Sequence, residues 1–325
     1  TIVAPGVSSI ITSTDGINWT NCDTPPCSPP FAGNSVAYGK DDANNNIWVV
    51  VGTGNDDRIL QSLDDDVSLK QWACPEGQFE IEGKGLAYVN DVGWVAVGKG
   101  PSIMYSRNVV QWNPSNPVEF TIGGINIAYG NGLWVAVGSG LNTILTSTNM
   151  VDWNTISGIQ FTISGNDVVY AGNRWIAVGQ GTNTILTSID GITWGPVLGI
   201  QFTNYGKSVA YGGGRWVAVG SGTKTILTSL DGINWVAAPG SRFTNLGLDV
   251  EYYNGHWIAV GSGGNSILTI ENNLISNKNF IISNLQMKNN STIYDNSETT
   301  ITNADVSIVG MVQLENEFVV ILKQI

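Results

Sequence analysis

Residues 174–194 read RWIAVGQGTNTILTSIDGITW, and residues 215–235 read RWVAVGSGTKTILTSLDGINW. The second copy starts 41 residues after the first, so the chain is tested for internal repetition before anything else. All twelve tryptophans fall into two series. One opens the W-[VI]-[AV]-V-G element (Trp48, Trp94, Trp134, Trp175, Trp216, Trp257), and the other closes S-x-D-G-x-x-W (Trp19, Trp72, Trp112, Trp153, Trp194, Trp235). Phe79, Phe120, Phe161, Phe202 and Phe243 keep step, each followed nine residues later by a tyrosine, Tyr88 to Tyr252.

Each unit reads as four short strands. In residues 166–203, NDVVYAG is strand A, RWIAVG strand B, NTILTS strand C, and the stretch from Trp194 toward Phe202 strand D. Gly-Asn, Gly-x-Gly and Asp-Gly turns punctuate the β-branched and aromatic runs. Strand B is apolar on both faces, as in a sheet covered on each side. A repeated four-stranded unit of this kind predicts a β-propeller blade. ILTS-type elements begin at Ile10, Ile59, Ile103, Ile144, Ile185, Ile226 and Ile267, which predicts seven blades, with six as the alternative if the tail lies outside the ring. The first unit lacks its strand A. Pairing of the N- and C-terminal segments would supply it, from Leu285–Lys288 or from VQLENEFVVI (312–321), while Phe280 is the candidate seventh phenylalanine. The expected organisation is a propeller over 1–284 and a segment over 285–325 that closes the ring or docks on a partner.

The chain has 325 residues, with 14 Lys+Arg against 26 Asp+Glu and a formal charge of -12. Such a surface repels polyphosphate, so nucleic acid is not an expected partner. No apolar run has the length of a membrane span. Cys22 and Cys27 flank DTPP and suit a small disulfide loop that leaves Cys74 free; a Cys27–Cys74 pairing is the alternative.

In S-x-D-G-x-x-W the aspartate accepts backbone N–H bonds, the glycine supplies positive φ and the tryptophan covers the hairpin. Asp15-Gly16, Asp190-Gly191 and Asp231-Gly232 keep the pair, whereas two units have Asn108-Val109 and Asn149-Met150. A catalytic carboxylate would not lapse to Asn in neighbouring copies, so the element reads as a turn. It resembles the Asp box, or BNR-like repeat, of sialidases, related glycosidases and many non-enzymatic propellers, although those have one residue between Asp and Gly. The broader consensus over about residues 1–270 is similar to repeat proteins of giant DNA viruses and some microbes.

A sialidase-like mechanism, which the resemblance would imply, needs three arginines gripping a carboxylate. Of the five present, Arg174 and Arg215 share one repeat position with Gly93, Leu133 and His256, and Arg107 lies in a box. The single His256 anchors neither a Ser-His-Asp arrangement nor a metal cluster. Carboxylate-pair hydrolysis has Glu76, Glu80, Glu82 and Glu119 as candidates in the D–A connectors. The expectation is a non-enzymatic chain, with a sialidase-like glycoside hydrolase as one alternative.

For binding, the B–C loops carry Asn142, Asn183, Lys224 and Asn265 in register, and polar residues precede each phenylalanine: Gln160, Gln201 and Arg242, with Gln78 and Glu119 in the same series. Repeat-equivalent groups of this kind suit sugars or a protein at several sites at once. In the second unit Asp41, Asp42, Asp64, Asp65 and Asp66 lie in two lengthened hairpins expected on one face, a set of hard oxygen ligands for Ca²⁺; no other cofactor is expected. Asn18, Asn289 and Asn290 head N-x-S/T sequons. The resulting expectation is a recognition or structural module, extracellular or on a virion surface. Its partner would be a glycan or another protein, including further copies of itself; the alternative is a purely architectural assembly protein.

Overall fold

The computed structural model describes residues 31–54, 58–62, 72–100, 102–116, 119–240, 242–253 and 255–269, with Ile10 and the backbone of the remaining strands named below. The described chain is all-β. Its unit is a four-stranded antiparallel meander, seen in Ser164–Ala171, Arg174–Gln180, Ile185–Ser188 and Thr193–Pro196, here strands A to D. The same meander recurs over 32–73, 82–114, 123–155 and 205–237. Leu246–Tyr253, His256–Ser262 and Ile267–Glu271 form strands A to C of one more. Near the termini, Ile2–Pro5, Ile10–Ser13 and Thr20–Asn21 make a three-stranded sheet, and Val306–Leu314 pairs with Glu317–Gln324.

Strand D is shorter than the sequence implies. After Pro196 the chain leaves its own sheet, and Leu198–Gly199 runs parallel to strand D of the next one, Asn234–Ala237. Ser157–Gly158 does the same against Thr193–Pro196. An outermost strand presents unpaired N–H and C=O groups that invite edge-to-edge association. The connector covers that edge, with Leu198 N donating to Ile233 O at 2.7 Å and Ile200 N to Trp235 O at 2.9 Å.

The core lies between sheets. Val135, Val137 and Ile144 of one sheet pack on Phe161, Val168, Trp175, Ala177 and Leu186 of the next, while Trp134 and Ala136 face backward onto Val95 and Val97. Strand B is apolar throughout because each of its faces meets a neighbour. Every strand A carries a β-bulge at one register, between Gly33 and Ser35, Gly83 and Gly85, Gly124 and Asn126, Gly165 and Asp167, Gly206 and Ser208, and Gly247 and Asp249. The first glycine is required by packing: a Cβ on Gly124 would stand 2.6 Å from Val97 Cβ, and one on Gly247 equally close to Val219 Cβ. Tyr and Trp of each A–B hairpin sit with ring centroids 4.5–4.9 Å apart in a tilted contact.

The C-terminal pair repeats the A–B hairpin. Gln313 pairs with Phe318 as Tyr129 does with Trp134, and a bulge falls between Ile308 and Gly310. Strand Val306–Leu314 contacts Leu246–Tyr253, His256–Ser262, Ile2–Pro5 and Ala32–Lys40. Residues 285–288 and Phe280 lie outside the described residues. Among the described residues no helix is long and apolar enough to cross a membrane.

Candidate functional site

At the C–D hairpins, Ser188 Oγ accepts Gly191 N–H at 2.9 Å and donates to Asp190 Oδ1. Asp190 Oδ1 accepts the N–H groups of Ile192 and Thr193 at 2.8 and 2.7 Å, and Trp194 Nε1 donates to Gly191 O. Ser229 and Asp231 repeat the serine and aspartate contacts. The N–H groups hold both carboxyls below their ordinary range: Thr193 first for Asp190, and Asn234, through backbone and side chain, for Asp231. Asn149 Oδ1 accepts the same pair of N–H bonds in its own turn, from Val151 and Asp152. These side chains build the hairpin, and their oxygens are engaged inside it.

The opposite ends of the sheets carry the B–C loops and the D–A connectors. Gln160 Oε1 accepts Thr143 and Ile144 N–H at 2.9 and 3.1 Å, and Gln201 Oε1 accepts Thr184 and Ile185 N–H at 2.8 and 3.0 Å. Gln78 does likewise for Arg58 and Ile59. Glutamines expected to reach a ligand therefore fasten the start of strand C. Glu119 takes the same place, its carboxylate accepting Ser102 N–H, and burial pushes its carboxyl up against that bond. Thr121, Thr162, Thr203 and Thr244 hold the loops, each Oγ1 accepting one N–H at 2.7–3.0 Å, from Leu141, Thr182, Thr223 and Gly264. Asn142, Asn183, Lys224 and Asn265 all sit half-buried at one loop position. Asn265 Nδ2 donates to the Arg242 carbonyl at 3.2 Å, and Arg242 itself is exposed.

Sequence reading missed a polar ladder on the inner strands. Asp167, buried, accepts Asn126 Nδ2 and Val168 N–H on Oδ1 and Val209 N–H on Oδ2, which ties three consecutive A strands together. Burial drives its carboxyl up, and the hydrogen bonds oppose that. The signal was present in the repeat: the residue just past the bulge is Ser35, Gly85, Asn126, Asp167, Ser208 or Asp249, small or polar in every copy. Two residues on, where other copies have Ala37, Ala87, Ala128, Val169 and Ala210, stands Glu251. It keeps access to solvent, but the protein around it, then Asp249 and Asp167, push its carboxyl up to about 8.

The remaining candidates scatter. Glu82 binds Lys99 at 2.9 Å and Lys84 at 3.3 Å; burial works to raise its carboxyl, but the two ammoniums hold it below the ordinary value. Glu76 and Glu80 are exposed. Arg174 and Arg215 each donate Nη1 to the strand-C threonine, Thr187 and Thr228. Asp41 caps its own turn, accepting Asn45 N–H at 2.7 Å and Asn45 Nδ2 at 3.0 Å. Asp42 is exposed beside it, whereas Asp64, Asp65 and Asp66 lie outside the described residues. Among the described residues no three His, Cys, Asp or Glu are placed to hold a metal. Cys74 is disulfide-bonded, which corrects the arrangement that leaves it free; Cys22 and Cys27 lie outside the described residues.

No family model matches the chain, and no curated protein matches it. Solved structures do. The computationally designed Ika8 protein is similar with a TM-score of 0.59 at 11% identity, over 83% of this chain and 82% of that one. The WD40 β-propeller domain of Doa1 is similar with a TM-score of 0.54 at 12% identity, over 86% and 87%. At such identities the likeness speaks to architecture alone. Repeated four-stranded meanders packed face to face, with these neighbours, make the chain an all-β protein of β-propeller fold.

Proposed function

We propose that this propeller is a non-catalytic recognition module that binds a protein partner through the face formed by its B–C loops and D–A connectors. The observation that carries the reading is the way those loops are held. In the loops before Ile144 and Ile185 a glutamine fastens the start of strand C and a threonine fastens the loop, so these loops present their outer side chains from a rigid frame. Preorganised loops lose little entropy on binding, and repeat-equivalent contacts add by avidity. A protein partner is favoured over a glycan because the exposed apolar groups on this face are aliphatic. Among the described residues the exposed aromatics, Tyr38 and Tyr253, lie at the other end of strand A, beside the A–B turns. Engagement of the box carboxylates within their hairpins supports the non-catalytic part. The disulfide at Cys74 supports an extracellular or virion-surface setting.

The ring is read as seven-bladed and closed by the hairpin Val306–Gln324. What supports this reading is that the hairpin reproduces the A–B register with its bulge, and that its first strand contacts both the last sheet and the N-terminal sheets.

The test is a glycan array, run with calcium and with chelator, beside panning of a random peptide display library on the purified chain. Peptide enrichment with a silent array is expected. Selective glycan binding transfers the assignment to a lectin, and silence in both leaves an architectural propeller.

A further inference from the structure

The register that opens each strand A divides the molecule in two. It holds Ile81, Ile122 and Ile163 in three consecutive sheets, then Asn204 and Asn245 in the next two. All five make one and the same backbone bond, N–H to the carbonyl of Lys99, Ser139, Gln180, Ser221 or Ser262, at 3.1–3.2 Å. The fold thus accepts Asn here as readily as Ile, and packing does not ask for the isoleucines, which are 56, 63 and 54% exposed.

Further contacts join them into one surface. Leu141, 84% exposed, has its N–H on Thr121 Oγ1 beside Ile122, and its loop leaves a strand whose Ser139 bridges Ser164, next to Ile163. On the other flank, the Lys99 carbonyl receives Ile81 N–H, while Lys99 Cγ lies against Gly123, next to Ile122. The place of Leu141 is taken by Thr182, Thr223 and Gly264 in the following sheets, so the apolar surface stops where the asparagines begin. A contiguous aliphatic patch left open by the fold marks a contact for another molecule.

Charge narrows the partner. Lys84 and Lys99 are both engaged by Glu82, and Arg58 Nε donates to the Ile81 carbonyl. Glu80 remains exposed beside the patch, Glu119 lies half-buried next to it, and the whole chain carries -12. Acidic flanks steer basic partners and repel acidic ones.

We propose that the arc Ile81–Ile122–Leu141–Ile163 docks a segment of a partner protein whose aliphatic or aromatic side chains are flanked by Lys or Arg. This rests on the reading of the chain as a protein-recognition module.

The variant Ile81→Asn/Ile122→Asn/Ile163→Asn copies the residues that the fold already carries in two sheets, and an unchanged thermal melt verifies its folding. The random peptide library is panned on the wild-type chain, and the enriched peptides are titrated against both proteins. Enrichment of basic-apolar peptides with at least a tenfold loss of affinity in the variant is the expected result. Peptides that bind the variant equally well overturn the arc while leaving the recognition reading intact, and no enrichment at all overturns both. Acidic peptides, or a wild-type dimer seen by sedimentation that the substitutions abolish, also overturn it, the dimer by making a second copy the occupant.

Discussion

Asp231 shows how one side chain is used. Its carboxylate accepts two backbone N–H groups and Asn234 Nδ2, and those bonds hold the carboxyl below its ordinary value. A group depressed in the fold contributes stability above the ordinary carboxylate pKa and loses it as pH falls through the folded value. Both box aspartates are largely exposed, so the effect is that of a turn cap. Asp190→Ala should cost about 1 kcal/mol in denaturant melts. Asp190→Asn should cost distinctly less, because Asn149 already serves the same turn. Equal losses in the two variants would show that charge, not the cap, matters. Glu251 is the opposite case. Its carboxyl is raised, so the fold favours the protonated form; that contribution is full below the ordinary value near 4.5 and is lost as pH rises toward about 8. Glu251→Ala, the residue of four sister copies, should raise the melting temperature at pH 8 and leave it nearly unchanged at pH 4. A gain of the same size at both pH values would assign the effect to packing alone.

At the level of the hairpin, the departures from Asp-Gly in the box become intelligible. The residue before each strand-B tryptophan packs against the box of the next sheet. Met150 reaches Gly93, whereas a Cβ on Gly191 would meet Leu133 Cδ2 at 2.6 Å and one on Gly232 would meet Arg174 Cδ at 2.7 Å. Ile47 and Val109 share one core cluster in the same relation. In three of these four pairs a large residue on one side goes with a glycine on the other, while Ile47 meets a second branched aliphatic, and the left-handed backbone (φ 59° at Val109, 70° at Met150) is tolerated where the side chain fills the gap. Gly191→Met should therefore destabilise by about 1–3 kcal/mol through overpacking. Adding Leu133→Gly should recover at least half of that loss in a double-mutant cycle, and strict additivity would refute the pairing. The repeat made the strands, their turns and the two-sided burial of strand B readable from spacing. It could not reveal that Gln160 and Gln201 face inward, because a polar residue in register looks the same whether it meets a ligand or a backbone N–H. Nor could it show strand D parting after Pro196, since that edge is covered by a neighbour 36 residues away, as between Leu198 and Asn234.

For the whole molecule the decisive joint is the seam between the last sheet and the N-terminal sheets. In the regular sheets Val135, Val137 and Ile144 face the sheet that follows and are covered by it. Their counterparts in the last one, Ile258, Val260 and Ile267, are also buried, at 5, 0 and 7% exposure. Val306–Leu314 contacts strands A and B of this sheet. The seam differs from the others in sequence. Ile308 stands at the bulge register that is glycine elsewhere, and Glu251 takes the place of Ala or Val. A ring closed there is closed by its least regular joint, so deletion of residues 306–325 should act on stability far more than on the local hairpins. Uncovering three aliphatic side chains at about 1.5–3 kcal/mol each removes on the order of 5 kcal/mol. For a domain of this size that lowers the melting temperature by roughly 10 °C or more. The truncated chain should also bind a hydrophobic dye, and the hairpin added back as a peptide should restore the melt. Unchanged melting after the deletion would mean that another segment covers Ile258, Val260 and Ile267, and the closure would have to be sought within residues 272–305.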